Sequence, residues 1–218
     1  MQVHKMERLD IAGYHNEPVP NTFFRQENDT DHLAIILPGM GYTSHMPVLY
    51  YPGRLLLFLG ADVLGLEYDY SNKSDFLRLT GAERAKWLIS DVAASCEVAS
   101  TQRHYQEITL IGKSIGTLAM GHLLTSNTMF QKAHAIWLTP LFRNERLREQ
   151  IQQCRQKSLF VIGTADPNYD PIFLAEVGDK GESLVIDGAD HSLETGDDLM
   201  QSLEAMERLI EAIKRFLA

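Results

Sequence analysis

Ile108-Thr-Leu-Ile-Gly-Lys-Ser-Ile-Gly116 decides the reading of this 218-residue chain: a β-branched run enters Gly112-Lys113-Ser114-Ile115-Gly116, and a helix-like segment rich in small residues follows. Strand, GxSxG, helix is the order a nucleophile elbow needs. A serine on so tight a turn has a strained backbone, and glycines two residues before and two after it remove the side chains that would clash as strand folds back into helix. The Ser114 hydroxyl is then left exposed at the end of a sheet strand.

A serine hydroxyl is a poor nucleophile at neutral pH, so the elbow calls for a base and an orienting acid further along the chain. Ser158-Leu-Phe-Val-Ile162 reads as a buried strand running into Gly163-Thr-Ala-Asp166-Pro167, and Ser183-Leu-Val-Ile186 as another running into Asp187-Gly-Ala-Asp-His191-Ser192. In an open parallel sheet the carboxyl ends of the strands share one crevice, so Ser114, Asp166 and His191 are expected to converge there although they are far apart in sequence. Asp-Pro is also a common turn pair, and Asp170 is the substitute should Asp166 point away. Asp190 is disfavoured as the acid because it is the immediate neighbour of His191.

An oxyanion hole requires two backbone N–H groups aimed at the oxygen that becomes negative. The amide of Ile115, after the serine, supplies one. Leu33-Ala-Ile-Ile-Leu37 leads into Pro38-Gly39-Met40-Gly41-Tyr42, a glycine-flanked turn after an earlier strand, and Met40 is the first candidate for the second, with Gly41 as runner-up. At these residues the chain resembles the α/β-hydrolase superfamily, whose members often carry His-Gly-x-Gly where this one has Pro38-Gly39-Met40-Gly41, and whose chain order Ser, Asp, His is the order found here. The resemblance runs from Leu33 to the end of the chain. It is similar in outline to small cap-less hydrolases that include dienelactone-hydrolase-like proteins, which use cysteine where this chain has Ser114.

Composition narrows the alternatives. With 44% hydrophobic residues the chain can bury a full core, and its length suits one α/β domain spanning residues 1–218. A net charge of −9 argues against a nucleic-acid surface, which needs clustered lysine and arginine. The apolar window Val48 to Leu66 is interrupted by Pro52, Gly53, Arg54, Gly60 and Asp62, so it does not read as a membrane span. The first residues lack the apolar core of a signal peptide, and a cytoplasmic protein is expected. Cys96 and Cys154 are too widely spaced for a recognisable zinc motif, and Cys96 shares a helical stripe with Ala85, Leu88, Val92 and Ala99. Neither a metal nor an organic cofactor is expected.

Along the chain, Glu7 to Tyr14 and Thr22 to Gln26 read as two leading strands of an antiparallel edge, joined through Pro18 and Pro20. Then α and β alternate. Leu33 to Leu37 is a strand, the region after Pro52 a helix, Val63 to Tyr70 a strand, and Thr80 to Ser100 a helix whose Thr80 and Glu83 have capping-box spacing. After the elbow come a strand at Ala133 to Leu138 and the two strands that carry Asp166 and His191. The final segment sets Leu199, Leu203, Met206, Ile210, Ile213 and Leu217 on one helical face, with Asp197 and Asp198 at its start and Lys214 and Arg215 near its end, which suits the helix dipole. This alternation predicts an α/β-hydrolase fold: a mostly parallel, doubly wound sheet with helices on both faces.

Only Leu141 to Lys157 separates the sixth and seventh strands, about one short helix by the usual rise per residue, so no cap domain is expected and the crevice should be open. Among side chains near the elbow, Lys113 is expected to solvate the outer face of the turn, with a secondary possibility that its charge supports the developing charge on Ser114. His45 reads as a surface residue, His134 as a core one, and Tyr42, Asp69 and Tyr70 receive no role. The function expected is a serine hydrolase cleaving a small ester or thioester through an acyl-enzyme. The competing expectation is a binding or regulatory protein that kept the fold without catalysis, and peptidase activity is a third and less attractive one.

Overall fold

Eight strands, β1 (His4–Glu7), β2 (Asn21–Gln26), β3 (His32–Leu37), β4 (Asp62–Leu66), β5 (Glu107–Lys113), β6 (His134–Leu138), β7 (Ser158–Gly163) and β8 (Gly181–Ile186), form one sheet in the order β1-β2-β4-β3-β5-β6-β7-β8 in the computed structural model. The structure describes residues 4–196 and 198–218; Asp197, expected at the start of the last helix, lies outside them. β1 and β2 run antiparallel at one edge and the other strands are parallel. The helices are α1 (Pro47–Phe58), α2 (Ser74–Arg78), α3 (Gly81–Ser100), α4 (Ile115–Ser126), α5 (Glu145–Gln153), α6 (Pro171–Glu176) and α7 (Leu199–Phe216).

Strand alternation divides the core into two layers. Leu33, Ile35 and Leu37 of β3 join Leu88, Val92, Cys96, Met120 and Leu123 of α3 and α4 on one face. Ala34 and Ile36 join Val48, Leu49, Leu56, Leu209, Ile213 and Phe216 of α1 and α7 on the other. Residues of successive pleats thus bury both faces of the sheet, the arrangement that parallel strands require. The α3 capping box forms as its sequence predicts, Thr80 and Glu83 each accepting from the other's backbone N–H.

Four expectations about elements need correction. The first strand ends at Glu7 and does not reach Tyr14: residues Tyr14–Asn16 form a 3₁₀ turn, with His15 and Asn16 at positive φ, and the Tyr14 N–H donates to buried Asp91 at 2.7 Å. β4 stops at Leu66, where its pairing with β2 ends at Asn21, so Tyr68, Asp69 and Tyr70 lie beyond the strand. Helix α1 begins at Pro47, whose fixed φ and missing donor suit a first helical position, and continues through Pro52 with one intrahelical bond lost. Finally, α7 keeps only part of the face expected of it: Ile213 is buried and Met206 and Leu217 pack against the core, but the buried stripe is centred one residue earlier and its first turns face solvent. Ala205, Leu209, Ala212, Ile213 and Phe216 are buried, whereas Leu199 (72% exposed) and Leu203 (51%) stand in solvent. Alanine is small enough for α7 to lie close to the sheet, and Ala205, Leu209, Ala212 and Phe216 each lie one position before a residue expected on the buried face.

The segment between β6 and β7 contains α5 alone. Its Leu147 and Ile151 are buried while its other face is polar, and it packs against α4. No helix among the described residues is long and apolar enough to cross a membrane.

Candidate active site

Ser114 sits between β5 and α4 at φ 52° and ψ −118°, a backbone conformation that side chains other than glycine rarely adopt. The strain is held from both sides. The Ser114 N–H donates to the Leu138 carbonyl at 3.1 Å, and its carbonyl accepts from the Thr117 N–H at 3.0 Å. Gly116 is required because a Cβ there would run into the Leu37 carbonyl oxygen, so α4 can start this close to β3 only on a glycine.

The imidazole of His191 joins serine and carboxylate. Its Nε2 lies 2.9 Å from Ser114 Oγ and its Nδ1 2.7 Å from Asp166 Oδ2. The loop carrying His191 lies directly against the loop carrying Asp166: a Cβ at Gly163 would overlap the Ala189 carbonyl, and that carbonyl accepts from the Ala165 N–H at 3.0 Å. Asp166 is buried, and its other oxygen, Oδ1, accepts from the Asn168 N–H at 2.8 Å and Asn168 Nδ2 at 3.1 Å. Burial pushes this carboxyl up, but the hydrogen bonds from His191 and Asn168 outweigh it and hold Asp166 below the usual aspartate range. His191 therefore faces a carboxylate at neutral pH.

Asp170, the expected substitute for Asp166, and the disfavoured Asp190 are both otherwise engaged. Asp170 caps α6 by accepting from the Phe173 N–H and pairs with Arg148 at 2.6 Å. Asp190 accepts from the Ser192 and Glu194 N–H groups and shapes its own loop.

Near the serine, the Gly39–Tyr42 turn is closed by two backbone hydrogen bonds between its end residues, which leave the Met40 amide outside them. A Cβ on Gly39 would lie 3.3 Å from Ser114 Cβ, so the turn abuts Ser114, and the buried Tyr68 hydroxyl fixes it by donating to the Pro38 carbonyl at 2.8 Å. Ile115 is the first residue of α4, where a helix leaves its amide unpaired. The Met40 side chain stands 44% exposed at the rim.

Lys113 departs from its expected place. It is 1% exposed, pointing inward on the same face of β5 as Ile111, with its Nζ donating to the His191 carbonyl at 2.8 Å and to Thr139 Oγ1 at 3.2 Å. Alternation along β5 could have shown the inward direction, but not that the loops after β3 and β8 close over the amine. Asn168 was missed too, although Asp-Pro-Asn carries the signal of a side chain bonding the backbone two residues on. His45 is exposed and pairs with Glu67, and Tyr70 is buried with its hydroxyl on Asp91. His134 is half-buried in β6 beside Glu107.

No protein-family model matches the sequence, and no curated protein is detectably similar to it. Solved structures do resemble it. An esterase of Pyrococcus furiosus superposes with a TM-score of 0.69 at 16% identity, over 100% of this chain and 92% of the other. An α/β serine hydrolase homologue of Coxiella burnetii gives 0.68 at 17%, over 96% of each chain. A lidless α/β serine hydrolase of Xanthomonas campestris gives 0.66 at 16%, over 99% and 94%. The chain has the α/β-hydrolase fold without an added cap.

Proposed function

We propose that the protein is a serine hydrolase that cleaves a small carboxylic ester or thioester through an acyl-enzyme. The observation carrying this reading is the unbroken row Ser114 Oγ, His191 and Asp166, at 2.9 and 2.7 Å, built on a serine with a strained backbone. Ser114 Oγ attacks the acyl carbon as His191 Nε2 takes its proton, and the carbonyl oxygen becomes an oxyanion facing the amides of Ile115 and Met40. His191 then gives the proton to the departing alcohol oxygen or thiol sulfur. Water attacks the acyl-enzyme by the same route, and Ser114 regains its proton. Asp166 keeps the imidazole in the tautomer that presents an unprotonated Nε2 and stabilises its transient positive charge. Besides the substrate and water, the groups in this scheme belong to the chain.

A small acyl group is favoured because α5 folds back on α4 and supplies no lid or long acyl tunnel. The test is covalent labelling by a fluorophosphonate, located by mass spectrometry, beside hydrolysis of p-nitrophenyl esters of increasing chain length. Ser114→Ala should abolish labelling and lower turnover by about 10⁴- to 10⁶-fold. Ester cleavage by that variant above a few per cent of wild type would refute the serine's role, and a folded wild type that neither labels nor turns over would favour the non-catalytic reading.

A further inference from the structure

Among the described residues Lys113 is the only lysine or arginine fully withdrawn from solvent, and the packing of the fold gives no reason for it. An apolar side chain such as that of Ile111, two residues earlier on the same face of β5, would fill the space without desolvating a charge. The amine is instead tied to the apparatus of the site. It binds the His191 carbonyl and Thr139 Oγ1, and it lies 4.3 Å from the centroid of the Tyr42 ring. The two imidazole nitrogens of His191 already engage Ser114 and Asp166, so Lys113 holds the same residue at a third point, its backbone. Because Lys113 and Ser114 are consecutive, the clamp starts from the strand end that carries the nucleophile and ends on the base.

We propose that Lys113 is a positioning residue for His191: its protonated amine clamps the histidine's backbone carbonyl, fixes the spacing between base and nucleophile, and by its charge state sets an alkaline limit to activity. This rests on the hydrolase reading above. The titratable and charged groups around the amine are Tyr42 after β3, Asp166 after β7, and Asp190 and His191 after β8, with Glu194 acting on Tyr42. Burial draws the Lys113 amine down to about 8, with Asp166 and Asp190 pulling the other way. Burial pushes the Tyr42 phenol up, and Asp166 is held low, so neither changes charge near pH 8. On losing its proton Lys113 exchanges a charge-assisted hydrogen bond to His191 for an ordinary one and loses its attraction to the Tyr42 ring.

The experiment follows p-nitrophenyl acetate hydrolysis and fluorophosphonate labelling from about pH 6.5 to 9.5, a span that brackets the amine, in wild type and Lys113→Met. Circular dichroism checks the fold. Wild type should lose kcat/KM on an alkaline limb centred near 8. The variant should lack that limb and fall about 10- to 100-fold in kcat at neutral pH, the scale of a misplaced catalytic group, with KM little changed. A folded variant with wild-type kcat and the same limb would overturn the proposal and leave the hydrolase reading intact. An inert wild type would overturn both. Should Lys113→Met not fold, the wild type decides: a labelling limb that coincides with the Lys113 side-chain NMR titration supports the clamp, and labelling that rises steadily to the alkaline end overturns it.

Discussion

Replacing Lys113 by methionine should stabilise the fold at neutral pH and erase a pH dependence of stability that wild type possesses. The amine titrates at 10.5 when solvated and at about 8 in the fold, so the unfolded chain holds a proton that the native chain releases anywhere between those values. Stability rises with pH wherever the unfolded state binds more protons. At pH 7 the buried charge therefore costs about 3 kcal/mol, and most of that, roughly 2–3 kcal/mol, is recovered by pH 10. Methionine removes the charge but also two hydrogen bonds of about 1 kcal/mol each, so the variant should be about 1–2 kcal/mol more stable than wild type at pH 7 and should lose that advantage at alkaline pH. Urea unfolding followed by fluorescence of buried Trp87 and Trp137 measures both proteins. Burial raises the thiols of Cys96 and Cys154 to about 12, which lowers stability as pH climbs past 9. Both proteins share that effect, so it cancels in their difference. Parallel stability curves for the two, with a constant gap from pH 7 to 10, would refute the assignment of a depressed amine. Relative to Lys113→Met, wild type should gain stability over the same range in which it loses activity, an opposition that a merely structural lysine would not produce.

Asp166→Asn should preserve the fold yet reduce turnover by about 10⁴, as the corresponding change does in a serine protease, because the amide favours the wrong imidazole tautomer; steady-state kinetics decide it, and a loss below tenfold would be inconsistent. Because Asp166 is held below the 3.8 of a free aspartate, its contribution to stability is present above that value and disappears as pH falls through the lower native one, which acid unfolding of wild type against Asp166→Asn will register. Gly116→Ala must displace the Leu37 carbonyl or the start of α4, so a destabilisation of about 1–3 kcal/mol or more should appear in denaturant melts together with loss of fluorophosphonate labelling. On α7, Leu209→Ala should cost about 2–5 kcal/mol, whereas Leu203→Ser should stay within about 0.5 kcal/mol; equal effects would contradict the observed orientation of that helix.

The parts of this protein that are legible in its sequence are those whose causes are local. The elbow can be read because the crowding of a strand-turn-helix reversal acts within five residues, and the capping box of α3 because it is closed within four. The order Ser114, Asp166, His191 is legible for a related reason: each residue follows an apolar run, and parallel strands deliver their carboxyl ends to one edge. What one element meets on another is not written locally. The buried stripe of α7 includes alanines that let it approach the sheet, and Tyr14, well past the end of the first strand, lies in a turn whose amide donates to a carboxylate from α3. Lys113 is the clearest case. Its residue type favours solvent, and only the closing of loops from distant strands over the end of β5 brings its amine to the His191 carbonyl. Burial and charge pairing are properties of the assembled surface, so sequence determined which groups arrive at the sheet edge, and tertiary structure decided which of them are withdrawn from water and held together.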